Sequence, residues 1–351
     1  NLRLWEKYGF TDEDIPLTTN EMLALSNQIQ TTKDKKAAWI YSFQDEYYTP
    51  IANIFCAQYE GKDMMEDNFL NGKDPEGRIS QYFYTYDGQR KSLEFMKELI
   101  TKYQHPQSKS MEFTLMQSSF LLDEAMFSIN GSWLESEMGT SDRYASIDVI
   151  KFPVISAITE KMSIKDDANK DAKLHDLIQF VDDTDSHKDG ITKPEWATDA
   201  DLKIVTEARH YAYLSSGCDH QCFIPVYSKN IDAAKDFLTY FYSDESLDIY
   251  HKTMNGGTLP AICGKEYSPL EKDVSIFRNS INNALDSEHM YAEMPKAKFF
   301  SLGEVNFYYQ NGIDGLTKAF VNNNSVDYVL NANTEYITKR WPSIQTKLGL
   351  N

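Results

Sequence analysis

Apolar positions recur along the chain at two spacings, and these spacings predict alternating helices and strands. Residues 90–103 are apolar at every third or fourth position, the period of an amphipathic helix, at Leu93, Met96, Leu99, Ile100 and Tyr103. Residues 35–44 and 145–155 are short runs of apolar and β-branched residues, and both predict strands. This alternation is typical of an α/β fold.

Residues that commonly begin or end helices predict further helices. Gly9 is expected to end a helix that begins at residue 2, and Thr19 is expected to cap the next one. That second helix should bury Met22, Leu25 and Ile29. Residues 45–61, 113–124 and 245–254 and most of the tail from residue 270 also have helical patterns.

A further helix follows Asn230, which is a suitable N-cap residue. Its pattern places one apolar face on Ile231, Ala234, Phe237, Leu238 and Phe241. We therefore expect residues 231–243 to pack through that face.

The segment AMFSINGSWLESEM, residues 125–138, predicts a strand, a turn at Gly131 and a helix. Ser132 and Glu135 have the spacing of a capping box, which would make Trp133 the first residue of the helix. A tryptophan at such a corner can pack against the core or contact a ligand, and local sequence leaves both roles open.

Residues 160–200 are polar and rich in Asp, and we expect a solvated insertion there. The segment DSHKDG has some features of a calcium loop that would start at Asp185. Its twelfth position is Trp196 instead of the bidentate Glu of such loops, so calcium is disfavoured.

Charge limits the classes of ligand. The 351 residues carry a net charge of −18, which repels nucleic acid and most anions and leaves neutral and cationic ligands open. Aromatic residues make up 13% of the chain, with 22 Tyr and 19 Phe, a composition that suits polyhydroxylated ligands and also ordinary packing. A mean hydropathy of −0.52 and the lack of an apolar run of about 18 residues argue against a transmembrane helix.

Other chemistry has weak support. The Cys-His-Cys segment at Cys218, His220 and Cys222 has no second cysteine pair, so no metal site is predicted, and Cys218 and Cys222 are either bridged or reduced. The usual hydrolase, zinc-protease, P-loop and dinucleotide motifs are absent from the sequence. We expect no catalytic residues and no cofactor.

Four segments in order resemble one protein family. They are LRLWEKYGF with DIPLTTNEMLALSNQI, then EAMFSINGSWLESEM with IDVIKFPVISA, then CFIPVYSKNIDAAKDFLTYFYSDES, and finally NGGTLPA. This set resembles the extracellular solute-binding proteins of bacterial ABC importers, in the carbohydrate-binding, maltose-binding-protein-like branch. The resemblance spans residues 2–262, and the final 90 or so residues match only in helical and aromatic character.

The resemblance implies a type II periplasmic-binding-protein-like α/β fold with two lobes that close on ligand. Residues 1–228 and 256–351 would form mainly the C-terminal lobe, and residues 229–255 would be a helical segment belonging to an N-terminal lobe. The chain opens on NLRLWEKYGF, which has the pattern of a helix interior, so we expect most of that lobe to precede it.

The family also implies ligand contacts. Trp133 takes the position of a sugar-stacking tryptophan. Asp45 and Glu46 are expected as acceptors for sugar hydroxyls, with Tyr47 and Tyr48 as stacking or hydroxyl contacts, although an exposed helix start would look similar. His220 would line the cleft or bond within the hinge. Tyr308, between Phe307 and Tyr309, would line the groove or lie in a helix core.

These expectations describe a monomeric extracellular lipoprotein that delivers a sugar or oligosaccharide to the permease subunits of an importer. Two alternatives remain. The same fold could bind a cation such as a polyamine through Asp45 and Glu46, or the protein could be a glycoside-active enzyme.

Overall fold

The computed structural model describes residues 1–31, 34, 36–43, 48–68, 71–139, 143, 146–215, 222–254, 275–286, 290–292 and 316–350. These parts are mostly helical, with two short parallel sheets. Every helix within these ranges is too short or too polar to span a lipid bilayer.

Groups of two or three helices are separated by single short strands in the described chain. The helices of the first half are α1 Leu2–Tyr8, α2 Thr19–Gln30, α3 Tyr48–Glu60, α4 Asp87–Lys102, α5 Phe113–Leu121 and α6 Leu134–Met138. Those of the second half are α7 Lys170–Asp185, α8 Asp199–His210, α9 Ile231–Phe241, α10 Asp244–Thr253, α11 Ile276–Asp286, α12 Leu316–Val321 and α13 Val326–Leu348. Single turns lie at Asp12–Asp14, Met64–Asn68, Pro106–Lys109 and Ser156–Lys161.

The strands form two parallel pairs. Strand β1 (Ala37–Ile40) pairs with β2 (Ala125–Ser128), with Trp39 opposite Phe127. Strand β3 (Tyr213–Ser215) pairs with β4 (Met290–Ala292). The other edge of β1 bonds to residues 103–105 through a bridge between Trp39 and Gln104. The predicted strand over residues 35–44 is therefore correct in type and shorter than expected.

The strand predicted for residues 145–155 does not form as a regular element. Instead, a single parallel bridge joins Val154 to Thr18, and the N–H of Phe152 donates to the carbonyl of Ala212 at 2.8 Å. Pro153, between them, has no N–H and cannot extend a ladder. The segment is a connector held at isolated points.

The amino-terminal helices follow their sequence signals closely. α1 ends at Gly9, whose φ of 77° is the left-handed conformation that glycine adopts readily. The cap of α2 is Thr18, one residue before the predicted Thr19. Thr18 bonds the N–H of Glu21, and the Glu21 carboxylate accepts from the N–H of Thr18, so only this register completes a capping box.

Helix α4 lies at the centre of the main core. Its predicted apolar residues Leu93, Met96, Leu99 and Ile100 are each at most 2% exposed. The helix packs against α3 on one side and against α12 and α13 on another. The periodicity of residues 90–103 is confirmed as a core-facing stripe.

The acidic stretch contains structure as well as solvated surface. Helix α7 lies within it and buries Leu174, Leu177, Ile178 and Val181. Asp185 ends that helix, and its carboxylate lies 3.2 Å from the ring of His210. Because the apolar face packs against the core cluster, residues 170–185 form part of the fold.

Asp201 makes the stability of α8 dependent on pH. It is 2% exposed and accepts bonds from Ser163 and Thr198. Burial alone would raise the pKa of the Asp201 carboxyl, but these hydrogen bonds outweigh burial and lower it. A carboxyl with a lowered folded-state pKa stabilises the fold above its unfolded value of about 3.9, and that contribution is lost as pH falls below it.

We therefore expect Asp201→Asn to lose stability at pH 7 and to depend less on pH than the wild type between about pH 5 and pH 3. Urea unfolding at several pH values measures both effects. The exposed Asp189→Asn is the matched control and should lose less than about 0.5 kcal/mol at pH 7. An unchanged pH slope in Asp201→Asn would contradict the assignment.

The hairpin of α9 and α10 differs from the rest of the described chain. Asn230 is the N-cap of α9, as predicted, but its side chain makes no capping bond. α9 has no buried residue, and Phe237 and Tyr240 are 63% and 57% exposed. The expected apolar face is present, with Phe237 stacked on Phe241 at 6.1 Å between ring centroids, but it faces solvent.

Candidate functional site

The candidate site lies at the carboxyl edge of the sheet formed by β1 and β2. Because these strands are parallel, the segments that follow them leave the sheet on the same side. Residues 41–48 follow β1 and lead into α3, and residues 129–133 follow β2 and lead into α6. In open α/β sheets, ligands bind outside the carboxyl ends of the strands.

The Trp133 ring lies directly against the backbone of Gly131. A methyl group placed on Gly131 would come within 2.3 Å of two carbons of the Trp133 ring, closer than real atoms approach. Only glycine therefore allows this indole position. The ring is half-buried at the corner between β2 and α6.

The predicted capping box is wrong. Helix α6 begins at Leu134, so Trp133 is the N-cap residue, and no side chain makes a capping bond there. The Glu135 carboxylate binds the guanidinium of Arg278 instead, with Nε to Oε2 at 2.7 Å. In the pair of Glu135 and Arg278 both groups are ionised, whereas a backbone N–H is neutral, which favours the guanidinium as the partner.

Helix α11 brings Arg278 to this corner from far along the chain. Ser275 caps α11 by accepting from the N–H of Arg278, and its hydroxyl also contacts Glu135 at 3.3 Å. The Ser280 hydroxyl bonds to the Asp148 carboxylate. Arg278 is 2% exposed and Glu135 is 12% exposed, so the ion pair is largely buried.

Two buried N–H donors at this corner have no hydrogen-bond acceptor among the residues that the structure describes. They are Nη1 of Arg278 and Nδ2 of Asn130. The Asn130 amide is oriented by its oxygen, which accepts from the N–H of Gly131 at 2.8 Å. The corner therefore combines an aromatic face with two donors.

The other predicted contacts are largely outside the described residues, which exclude Asp45, Glu46, Tyr47, His220 and Tyr308. Tyr48 is the first residue of α3, and only its backbone is described. The arrangement of these residues around Trp133 stays a prediction. Arg278 and Asn130 were not predicted, and the Asn-Gly-Ser-Trp motif was the only signal near either of them.

Cysteine and metal chemistry contribute little to the described site. Cys56 is a buried free thiol whose pKa is raised by burial, and Cys222 is exposed. Within the ranges that the structure covers, no cluster of three or more His, Cys, Asp or Glu could hold a metal ion. Cys218 lies outside those ranges.

The contact between Gly131 and Trp133 leads to a prediction. Gly131→Ala should push the indole off the corner and change its fluorescence, because the new methyl group would occupy the space of the ring. Ser132→Ala is the matched control, since that side chain makes no capping bond and its loss should cost less than about 0.5 kcal/mol. Emission spectra measure the environment of the indole, and thermal melts measure the stability of both variants. Unchanged Trp emission in Gly131→Ala would contradict the ring position.

The chain was compared with protein families, curated proteins and solved structures. No protein-family model matches the chain, and no curated protein matches it by sequence. Among solved structures, it is similar to AcbH, a bacterial solute receptor described as having an exclusive substrate preference for β-D-galactopyranose. The match has a TM-score of 0.56 and 12% identity and covers 98% of this chain and 69% of AcbH.

The likeness shows the fold: the chain folds like a bacterial solute receptor. The expected periplasmic-binding architecture is supported at that level, although the described residues contain more helix and less sheet than the sequence suggested.

Proposed function

We propose that this protein is the extracellular substrate-binding component of an ABC importer and that it binds a neutral sugar or oligosaccharide at Trp133. The observation that carries the proposal is the half-buried indole held over Gly131 at the carboxyl edge of a parallel sheet. The likeness in fold to a bacterial solute receptor supports it.

The chemistry of the corner suits a sugar. One face of a pyranose ring carries C–H groups that stack on an aromatic ring, and its hydroxyl oxygens accept hydrogen bonds. Trp133 offers the first contact, and Arg278 and Asn130 lie beside it with N–H donors. Such a site binds its ligand and makes or breaks no bond.

The segment after β1 would complete the site. In the sequence, Asp45, Glu46 and Tyr47 come between β1 and α3, and Tyr48 is the first residue of α3. We propose that the carboxylates accept from sugar hydroxyls and that the tyrosines stack or donate. His220 and Tyr308 are proposed to line the remaining walls.

The proposed lobes explain the exposed hairpin. In this proposal residues 1–228 and 256–351 form mainly the C-terminal lobe, and residues 229–255 belong with an N-terminal lobe. The solvent-facing aromatic residues of α9 support this arrangement, since a soluble lobe rarely exposes a contiguous apolar face. Part of AcbH also has no counterpart in this chain.

The proposed setting follows from that role. The receptor would be a monomer, anchored outside the cell as a lipoprotein, and would pass its ligand to the permease subunits of the importer. It would need no cofactor and would not bind nucleic acid, which the net charge of −18 repels.

Calorimetry on the full-length protein tests the proposal. We expect saturable binding of at least one member of a panel of β-D-galactopyranose and neutral oligosaccharides, with no turnover of the bound sugar. Spermidine is included because the acidic charge favours a cationic ligand. Binding of spermidine but no sugar would contradict the sugar assignment, and release of cleaved glycan would contradict the receptor assignment.

A further inference from the structure

We infer that Arg278, assisted by Asn130, is a ligand-contacting donor that makes this site select uncharged oxygen acceptors over carboxylates. The inference rests on the proposed sugar-binding role of Trp133. It adds two contact residues and a chemical preference that the motifs do not contain.

Arg278 lies close to the Trp133 corner. Its Nη2 lies 2.5 Å from Oε2 of Glu135, and the same nitrogen lies 3.5 Å from the carbonyl oxygen of Ser132, the residue before Trp133. Nη1 is bonded to the same guanidinium carbon as Nη2. The guanidinium therefore lies against the backbone of the Trp133 corner.

Two buried N–H donors, Arg278 Nη1 and Asn130 Nδ2, have no acceptor among the described residues. A buried N–H without a partner is unfavourable, and such groups in folded proteins usually meet an acceptor, from protein, water or ligand. Arg278 Nη1 and Asn130 Nδ2 have no acceptor among the described residues, although both belong to side chains that are fixed by other bonds. A ligand stacked on Trp133 can supply oxygen atoms to both.

The ion pair of Arg278 and Glu135 determines the charge that the site presents to a ligand. Glu135 neutralises the guanidinium at hydrogen-bond distance, so the pair as a whole offers donors without excess positive charge. An anionic ligand would also approach Glu135 and a chain whose net charge is −18. A hydroxyl, ring oxygen or amide carbonyl accepts from Nη1 without that repulsion.

Two variants test these contacts on the full-length protein by calorimetry with the sugar panel. Arg278→Lys keeps a positive charge for Glu135 and removes Nη1, and Asn130→Asp keeps the acceptor for Gly131 and replaces the Nδ2 donor. Each is expected to weaken sugar binding at least tenfold, equivalent to about 1.4 kcal/mol. Arg340→Lys, which alters a guanidinium stacked on Tyr336, is the control and should change affinity less than about twofold.

The outcomes separate the inference from the proposed function. If the wild type binds a neutral sugar and both variants bind within twofold of it, a structural water satisfies these donors and the inference is wrong, while the proposed function stands. D-Galactose is expected to bind more tightly than D-galacturonate, and if D-galacturonate binds as tightly or more tightly, the preference for neutral acceptors is wrong. If the wild type binds no sugar, the proposed function fails and the inference fails with it. Thermal melts show whether Arg278→Lys and Asn130→Asp are folded. If one of them does not fold, the sugar affinity of the other tests the inference.

Discussion

Trp133→Ala is expected to weaken sugar binding about 30-fold or more, equivalent to about 2 kcal/mol, because a central aromatic anchor is lost. The indole is held by its contact with Gly131 and does not belong to the fully buried core. Its removal should therefore affect binding more than folding. Calorimetry and urea unfolding of the same samples separate the two effects.

Two variants serve as controls. Trp133→Phe retains an aromatic face and should lose less affinity than Trp133→Ala. Trp196→Ala removes another half-buried indole, which lies between α7 and α8 against the Lys173 ammonium, and should leave affinity unchanged. A Trp133→Ala protein that binds sugar as the wild type does would assign the ring to packing.

Arg209→Ala is expected to cost about 3 kcal/mol of unfolding free energy, the low end for breaking a buried ion pair. Arg209 is 4% exposed, and its Nε and Nη2 bond both carboxylate oxygens of Asp182 at 3.0 and 2.7 Å. Its Nη1 also donates to the carbonyl of Phe152. The low end applies because Lys151, at 2.8 Å, still pairs with Asp182 in the variant.

The matched control is Lys188→Ala, which breaks an exposed pair with Asp183 on the same acidic stretch. It should cost less than about 0.5 kcal/mol, because exposed pairs are screened by solvent. Urea unfolding at pH 7 measures both variants. Equal losses in Arg209→Ala and Lys188→Ala would show that the buried pair has no special role.

Periodicity predicted helices well and connectors poorly. The stripe from Leu93 to Ile100 became the buried face of α4 because helical spacing alone fixes which side chains share a face. The pattern of residues 145–155 also predicted a strand, but Pro153 prevented a ladder and only a single bridge, from Val154 to Thr18, formed. Strand formation depends on partners that a local pattern does not specify.

Helix caps were predicted less precisely than helices. Thr19 was the predicted cap, but only Thr18 lies three residues before Glu21. Glu135 had the correct spacing for a capping box with Ser132, but Arg278 took its carboxylate. Local spacing therefore identifies candidate bonds, and tertiary contacts decide between them.

The candidate site was partly predictable. Trp133 follows a small-residue strand and a glycine, so its corner could be located from local sequence. The ring contact that requires Gly131 and the arrival of Arg278 could not be located, because both depend on three-dimensional approach. The sequence around Arg278 does not indicate that its partner is Glu135, which lies far away in the chain.

The measurement that tests the central claim most directly is indole NMR on the full-length protein, with Trp133 assigned through Trp133→Phe. Residues 1–351 contain five tryptophans. At saturation with a sugar that binds, the Trp133 indole resonance should shift more than those of the other four tryptophans of residues 1–351, and with the affinity found by calorimetry. A saturated complex in which the Trp133 resonance does not move would contradict the account.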